Sequence, residues 1–249
     1  MKHIIQAFLL MAFALTCANC GGGSDEEILS SVGSSTDADS DDDEETDEAT
    51  TYVATIYGTD NATLASILAG LIDGVDLDDE GNAQITQSAI DATTSLDLSQ
   101  KGLTSLAGIE YFVNLTSLDF SNNSVSSVDL STLTSLTYLD CSENQLTSLD
   151  LDALTKLKEL YCNGNSLTSL DVSACTKLTT LECQENSLAT LDLTSNTALT
   201  ALTCGSQTTG IIIVTLPSGL ESLVTESDVY VQTSTSGTGT SNYEDNGKY

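Results

Sequence analysis

The chain contains no arginine, no tryptophan, a single proline and a single histidine, His3. Its 6 lysines stand against 37 aspartates and glutamates, for a formal net charge of −31. Each shortage removes a class of function. A polyanion without guanidinium groups cannot neutralise phosphates or release their counterions, so nucleic acid and anionic headgroups are excluded as partners. With no histidine after position 3, the commonest general acid–base group is missing from any folded part. No matched carboxylate pair, phosphate loop or nucleophile motif takes its place. The sequence therefore reads as a non-enzyme without a cofactor.

The first residues carry a different kind of information. Lys2 and His3 make a short positive start, and Ile4 to Ala14 is an apolar run too short to span a bilayer as a helix; Cys17 and Cys20 follow at once. This arrangement resembles a lipoprotein signal peptide. Gly21-Gly22-Gly23-Ser24-Asp25-Glu26-Glu27 is similar to the glycine- and acid-rich start of surface lipoproteins of Bacteroidetes. The resemblance implies cleavage after residue 19 and acylation of Cys20, with Cys17 as the alternative; neither cysteine has a leucine three residues before it. It also implies a lipid-anchored protein on the outer membrane, exposed at the cell surface, whose only membrane contact is the lipid. Residues 20–50 include the run Asp41-Asp42-Asp43-Glu44-Glu45 and almost nothing apolar. They read as a self-repelling tether.

Leucines recur at 115, 136, 157, 178 and 199, and everything between them keeps register. Leu136-Thr-Tyr-Leu139-Asp-Cys141-Ser-Glu-Asn144 is matched by Leu157-Lys-Glu-Leu160-Tyr-Cys162-Asn-Gly-Asn165. This is the leucine-rich-repeat pattern: leucines alternate into a core from a short strand, an asparagine turns the chain, and further leucines close the coil. The fold class expected is an α/β-type solenoid, a right-handed coil with a parallel sheet on its concave face. The coils, residues 93–210, resemble the short 21-residue repeats of Bacteroidetes surface proteins and, more distantly, internalins. The first coil, from Ser95-Leu96-Asp97-Leu98, is one residue longer, and the sixth loses the pattern after Cys204. Residues 51–92 are expected to form a small helical N-terminal cap, 211–233 a β-rich C-terminal cap with strands at 211–214 and 229–231, and 234–249 a disordered tail.

Three further ladders share the period. Cys141, Cys162, Cys183 and Cys204 point inward at a spacing of about 4.8 Å, longer than a disulfide prefers and not tetrahedral for zinc, so they read as buried free thiols. Cys175 is expected to pack in the return segment. Asn123, Asn144, Asn165 and Asn186 are expected to bond the backbone of neighbouring turns, and Asp129, Asp150, Asp171 and Asp192 to accept backbone N–H groups at another turn. Asp78-Asp79-Glu80-Gly81-Asn82-Ala83 resembles an EF-hand-like loop in which Ala83 and Ala89 replace the required glycine and the bidentate glutamate. Asp78, Glu80 and Asn82 remain weak calcium candidates; no other metal site is expected.

The outward residues of the strands are the candidate binding surface. One row runs Asp97, Asp119, Asp140, Tyr161, Glu182, Thr203, and beside it stand Ser117, Tyr138, Glu159 and Thr180. Tyr138 and Tyr161 should be diagonal neighbours. With Asp119, Asp140, Glu159 and Glu182 they form a face suited to a basic protein or to a glycan. The function expected is ligand binding by a surface-anchored monomer, as in adhesion; a passive spacer is the alternative.

Overall fold

The computed structural model describes residues 50–224 and 228–233. The signal peptide, both candidate lipid-bearing cysteines Cys17 and Cys20, the acidic tether as far as residue 49 and the tail 234–249 lie outside the described residues.

Each coil places three residues in a strand with leucine in the middle. The strands are β4 (Ser95–Asp97), β5 (Ser117–Asp119), β6 (Tyr138–Asp140), β7 (Glu159–Tyr161), β8 (Thr180–Glu182) and, after an intervening strand, β10 (Ala201–Thr203). They form one parallel sheet in the order β4-β5-β6-β7-β8-β10. Leu96, Leu118, Leu139, Leu160, Leu181 and Leu202 stand in register across it. Because side chains alternate along a strand, every middle leucine is buried and its two neighbours face outward. The longer first coil is seen as Ser95 pairing with Ser117, whereas Ser117 pairs with Tyr138.

After the strand comes one more inward residue: Leu98, Phe120, Cys141, Cys162, Cys183 or Cys204, all fully buried. The chain then turns sharply through a left-handed residue in every coil, Gln100, Asn122, Glu143, Gly164, Glu185 and Ser206. Only one of the six is glycine, although this conformation strains any other residue. The strain is offset by backbone bonds from turn to turn, such as Asn122 N–H to the Ser142 carbonyl at 3.0 Å and Glu143 N–H to Asn163 at 2.9 Å.

Among the described residues the return arms of the coils contain no α-helix. They close by three-residue turns, as in Leu133 N–H to the Leu130 carbonyl at 3.0 Å and Leu136 N–H to Leu133 at 3.1 Å. One 3-10 turn, Ile109–Tyr111, occurs in the first coil. The expected solenoid with a parallel sheet is thus what the chain forms, with little helix in its coils.

The N-terminal cap joins its two helices to a small sheet. It contains β1 (Tyr52–Ile56), α1 (Gly58–Leu71), β2 (Val75–Leu77), β3 (Ala83–Thr86) and α2 (Gln87–Ala92). The strands form an antiparallel sheet in the order β1-β3-β2. Leu64, Ala65 and Leu68 of α1 and Ala83 and Ile85 of β3 are buried in the same core as the coils. The last residue of β1, Ile56, fills the space over Gly108, where an added Cβ would lie 2.4 Å from an Ile56 side-chain carbon.

At the other end the chain starts a second parallel sheet. Strands β9 (Thr190–Asp192), β11 (Ile212–Leu216) and β12 (Val229–Thr233) pair in the order β12-β11-β9. The C-terminal strands thus extend the solenoid along its other arm, in parallel. Residues 169–171 and 148–150, one and two coils before β9, form no strand.

Candidate ligand-binding face

The outward side of the six-stranded sheet brings together all six residues picked out by the repeat pattern. Tyr138 pairs with Glu159, and Asp140 with Tyr161, so the two tyrosines sit diagonally on adjacent strands. Their ring centroids are 5.6 Å apart with planes tilted by 44°. Tyr161 Oη donates to Glu159 Oε2 at 3.3 Å. Burial pushes the Tyr138 phenol up to about 12, with Asp140, Asp119, Tyr161 and Glu159 adding to it. The Tyr161 phenol is raised for the same first reason, then by Glu159, Glu182 and Asp140. Asp140 is held above its ordinary value by burial and by the charges of Asp119 and Glu182, against the Ser142 hydroxyl and N–H, which stabilise its anion. The phenols and the four carboxylates therefore form one interacting group.

Two of the carboxylates also have a local duty that the strand pattern does not reveal. Asp119 Oδ1 accepts the Ser121 N–H at 2.9 Å, and Asp140 Oδ1 accepts both the Ser142 N–H at 3.0 Å and its hydroxyl at 2.6 Å. Asp97 caps Ser99 in the same way. These aspartates close the turn after their strands, so acid at these positions is explained in part by the fold. Tyr161, Glu182, Tyr138 and Glu159 stand at the matching outward places, where no such backbone cap from them is seen. The signal for the aspartate role was present as Asp-x-Ser, a common turn sequence.

The other ladders are structural. Asn165 is typical: its Oδ1 accepts the Leu146 N–H at 2.9 Å, and its Nδ2 donates to the carbonyls of Cys141 at 3.0 Å and Cys162 at 3.2 Å. The ladder continues one rung beyond the four asparagines. Gln207 Oε1 accepts the Leu188 N–H at 2.9 Å, and its Nε2 donates to Cys183 and Cys204 at 2.9 and 2.8 Å. The position, one repeat after Asn186, and the shared amide head group mark it in the sequence. Cys141, Cys162, Cys175, Cys183 and Cys204 are buried and form no disulfide. Burial raises the Cys141 and Cys162 thiols, and brings Cys175 to about 11 with help from Asp171 and Asp152. Such thiols behave as small hydrophobes rather than nucleophiles.

The calcium candidates lie on a hairpin between β2 and β3. Asp78 Oδ1 accepts the N–H groups of Glu80 and Asn82, and its Oδ2 accepts the side-chain amides of Asn82 and Gln84 at 2.9 and 2.8 Å. Both oxygens of the first residue in the loop thus serve to fold it, and Ala83 lies buried in β3 where an EF-hand has its turn glycine. Among the described residues no three or more His, Cys, Asp or Glu side chains are grouped to hold a metal ion.

The coils match the family model for two copies of leucine-rich repeats over residues 113–154 and 134–175. No curated protein matches the chain. Among solved structures, it is similar to the functional domain of InlJ from Listeria monocytogenes, described as including a cysteine ladder. The two share 28% identity and a TM-score of 0.58 over 74% of this chain and 45% of that one. The internalin InlF of the same organism has 23% identity and a TM-score of 0.56 over 74% of this chain and 58% of its own, a likeness of fold alone. The chain thus spans about half the length of these relatives. With the stacked leucines, the asparagine corner and the inward cysteines all in place, the chain is a leucine-rich-repeat protein, distantly internalin-like.

Proposed function

We propose that the protein is a lipid-anchored cell-surface module that binds a protein or glycan ligand on the outward face of its six-stranded sheet. The observation that carries this reading is the Tyr138–Tyr161 contact, 5.6 Å between ring centroids, set among four carboxylates. The coil requires the inward leucines and the corner amides. It does not require two large aromatic rings on the outside of adjacent strands. The sequence supports anchoring through Cys20, and no helix among the described residues is long and apolar enough to cross a membrane.

Screening the full chain on protein and glycan arrays identifies the ligand. Tyr138→Ala and Tyr161→Ala should then each weaken binding by roughly 1–3 kcal/mol while leaving the melting temperature nearly unchanged. If both variants bind as tightly as the parent, the face is not the site. The anchor has its own test: Cys20→Ala should move the protein to the soluble fraction, and Cys17→Ala should leave it on the membrane. Acyl labelling that follows Cys17 instead would reverse that assignment.

A further inference from the structure

The charge on this face is not balanced from within the face. Asp119 and Asp140 stand directly opposite each other on β5 and β6, and Tyr161 is paired with Glu182 on β7 and β8. The charged groups that act on Asp140 are Asp119 and Glu182, both anions. Tyr138 lies in the field of Asp140, Asp119 and Glu159, and Tyr161 in that of Glu159, Glu182 and Asp140. Two tilted rings are therefore set within four carboxylates on a partly buried surface. An aromatic face attracts a cation through its quadrupole, and carboxylates at the rim strengthen the attraction where water is partly excluded. An anionic ligand would be repelled, and a neutral one would leave the like charges facing one another. The four carboxylates exceed the charge of one cation, and the acidic row continues to Asp97 on β4, in register with Asp119, where Lys101 already acts on the carboxyl.

We propose that the ligand is a basic polypeptide segment, with one lysine or arginine side chain seated on the Tyr138–Tyr161 pair and held by Asp119, Asp140, Glu159 and Glu182. The inference rests on the reading of the sheet face as the binding surface and narrows that reading to one ligand chemistry.

The test uses the full chain and a fluorescent peptide of alternating lysine and glycine, with its fully Nε-acetylated twin as control, read by anisotropy. The lysine peptide should bind and the acetylated one should not, and binding should weaken as salt is raised. Replacing Tyr138→Leu and Tyr161→Leu together keeps the net charge, so a purely electrostatic association would be unmoved. Seating on the rings predicts a loss of roughly 3- to 30-fold. Glu182→Gln, which leaves the tyrosines in place, should weaken binding as well, and serves if the double leucine variant melts early. Neutralising the tether run, with Asp41, Asp42 and Asp43→Asn and Glu44 and Glu45→Gln, should leave affinity nearly unchanged. Binding that disappears with the tether acids and ignores the leucine and Glu182 variants would overturn the proposal. So would capture of a neutral oligosaccharide through the two tyrosines without any binding of the lysine peptide, although the face would then stand as a binding site. A ligand that binds the leucine and Glu182 variants as tightly as the parent would remove both readings.

Discussion

Two polar ladders run the length of the coils at the same period, one at the corner after each strand and one at the far corner of the arm. Asn144, Asn165 and Asn186 are buried, and their bonds join one coil to the next, as Leu167 N–H to Asn186 Oδ1 at 2.9 Å and Asn186 Nδ2 to the Cys162 carbonyl at 3.0 Å. Asp129, Asp150, Asp171 and Asp192 are exposed, and each accepts the N–H two residues on within its own turn, at 2.9–3.0 Å. The distances are alike, but the consequences of breaking the bonds are not. A bond broken in a dry corner leaves groups that water cannot reach, whereas one broken at the surface is replaced by solvent. The asparagines are therefore the polar element that couples coils, and the aspartates tidy a local turn.

The strongest way to break this comparison is Asn165→Ala. It orphans the Leu146 N–H and takes one of two amide donors from each of the Cys141 and Cys162 carbonyls, which keep Asn144 and Asn186. At about 1–3 kcal/mol for a buried donor left unpaired, with the weakened bonding of two carbonyls added, the loss should be about 2–4 kcal/mol in denaturant unfolding. A loss below ~1 kcal/mol would show that water enters the corner. Gln207→Ala should cost less, about 1–2 kcal/mol, because only one further turn of the stack lies beyond it. An equal loss at both positions would mean that the last rung is as dry as the middle ones.

Asp171→Ala should cost about 0.5–1 kcal/mol at neutral pH, since only the surface N–H and hydroxyl of Ser173 lose their acceptor. The Ser173 hydroxyl and N–H hold the Asp171 carboxyl below its ordinary value. Its contribution is present above the ordinary carboxylate pKa and is lost as pH falls through the depressed one, so the difference between parent and variant should close in acid. Asn165→Ala should show no such closure, because no proton is involved. The smallest effect has the opposite sign. Asp140 is raised, so its charge opposes folding at neutral pH, and that opposition fades as pH falls through the raised value and is gone below the ordinary one. Asp140→Asn keeps an oxygen for Ser142 and should raise the melting temperature slightly at pH 7 and not at all in acid. A lower melting temperature at pH 7 would mean that the carboxylate is worth more as a turn cap than it costs as a charge.

How far the fold could be read from residues varies along the chain with the repeat itself. In the coils each position is sampled several times. The inward leucines, the cysteine row, the asparagine corner and the diagonal placing of Tyr138 and Tyr161 all follow from one alternation and one period. The N-terminal region is sampled once. There Ala83-Gln84-Ile85-Thr86 reads equally well as the end of a loop or as a strand, and it is the central strand of an antiparallel sheet. The parallel pairing of β11 with β9 joins Val214 to Leu191, residues with no repeat motif in common, and pairing partners of that kind leave no periodic trace. Gln207 was hidden for a simpler reason: the rung keeps its chemistry while changing its residue type.

The inward thiols give the protein a built-in record of its own breathing. Cys141, Cys162, Cys183 and Cys204 occupy successive coils and Cys175 a return arm, all with sulfur in the core and none paired in a disulfide. A thiol in that setting reacts with an alkylating reagent only when its coil opens. Mass spectrometry of chains alkylated for increasing times would therefore rank the coils by opening free energy at five points. In a stack where each turn leans only on its neighbours, that ranking should fall towards whichever end of the ladder unzips first.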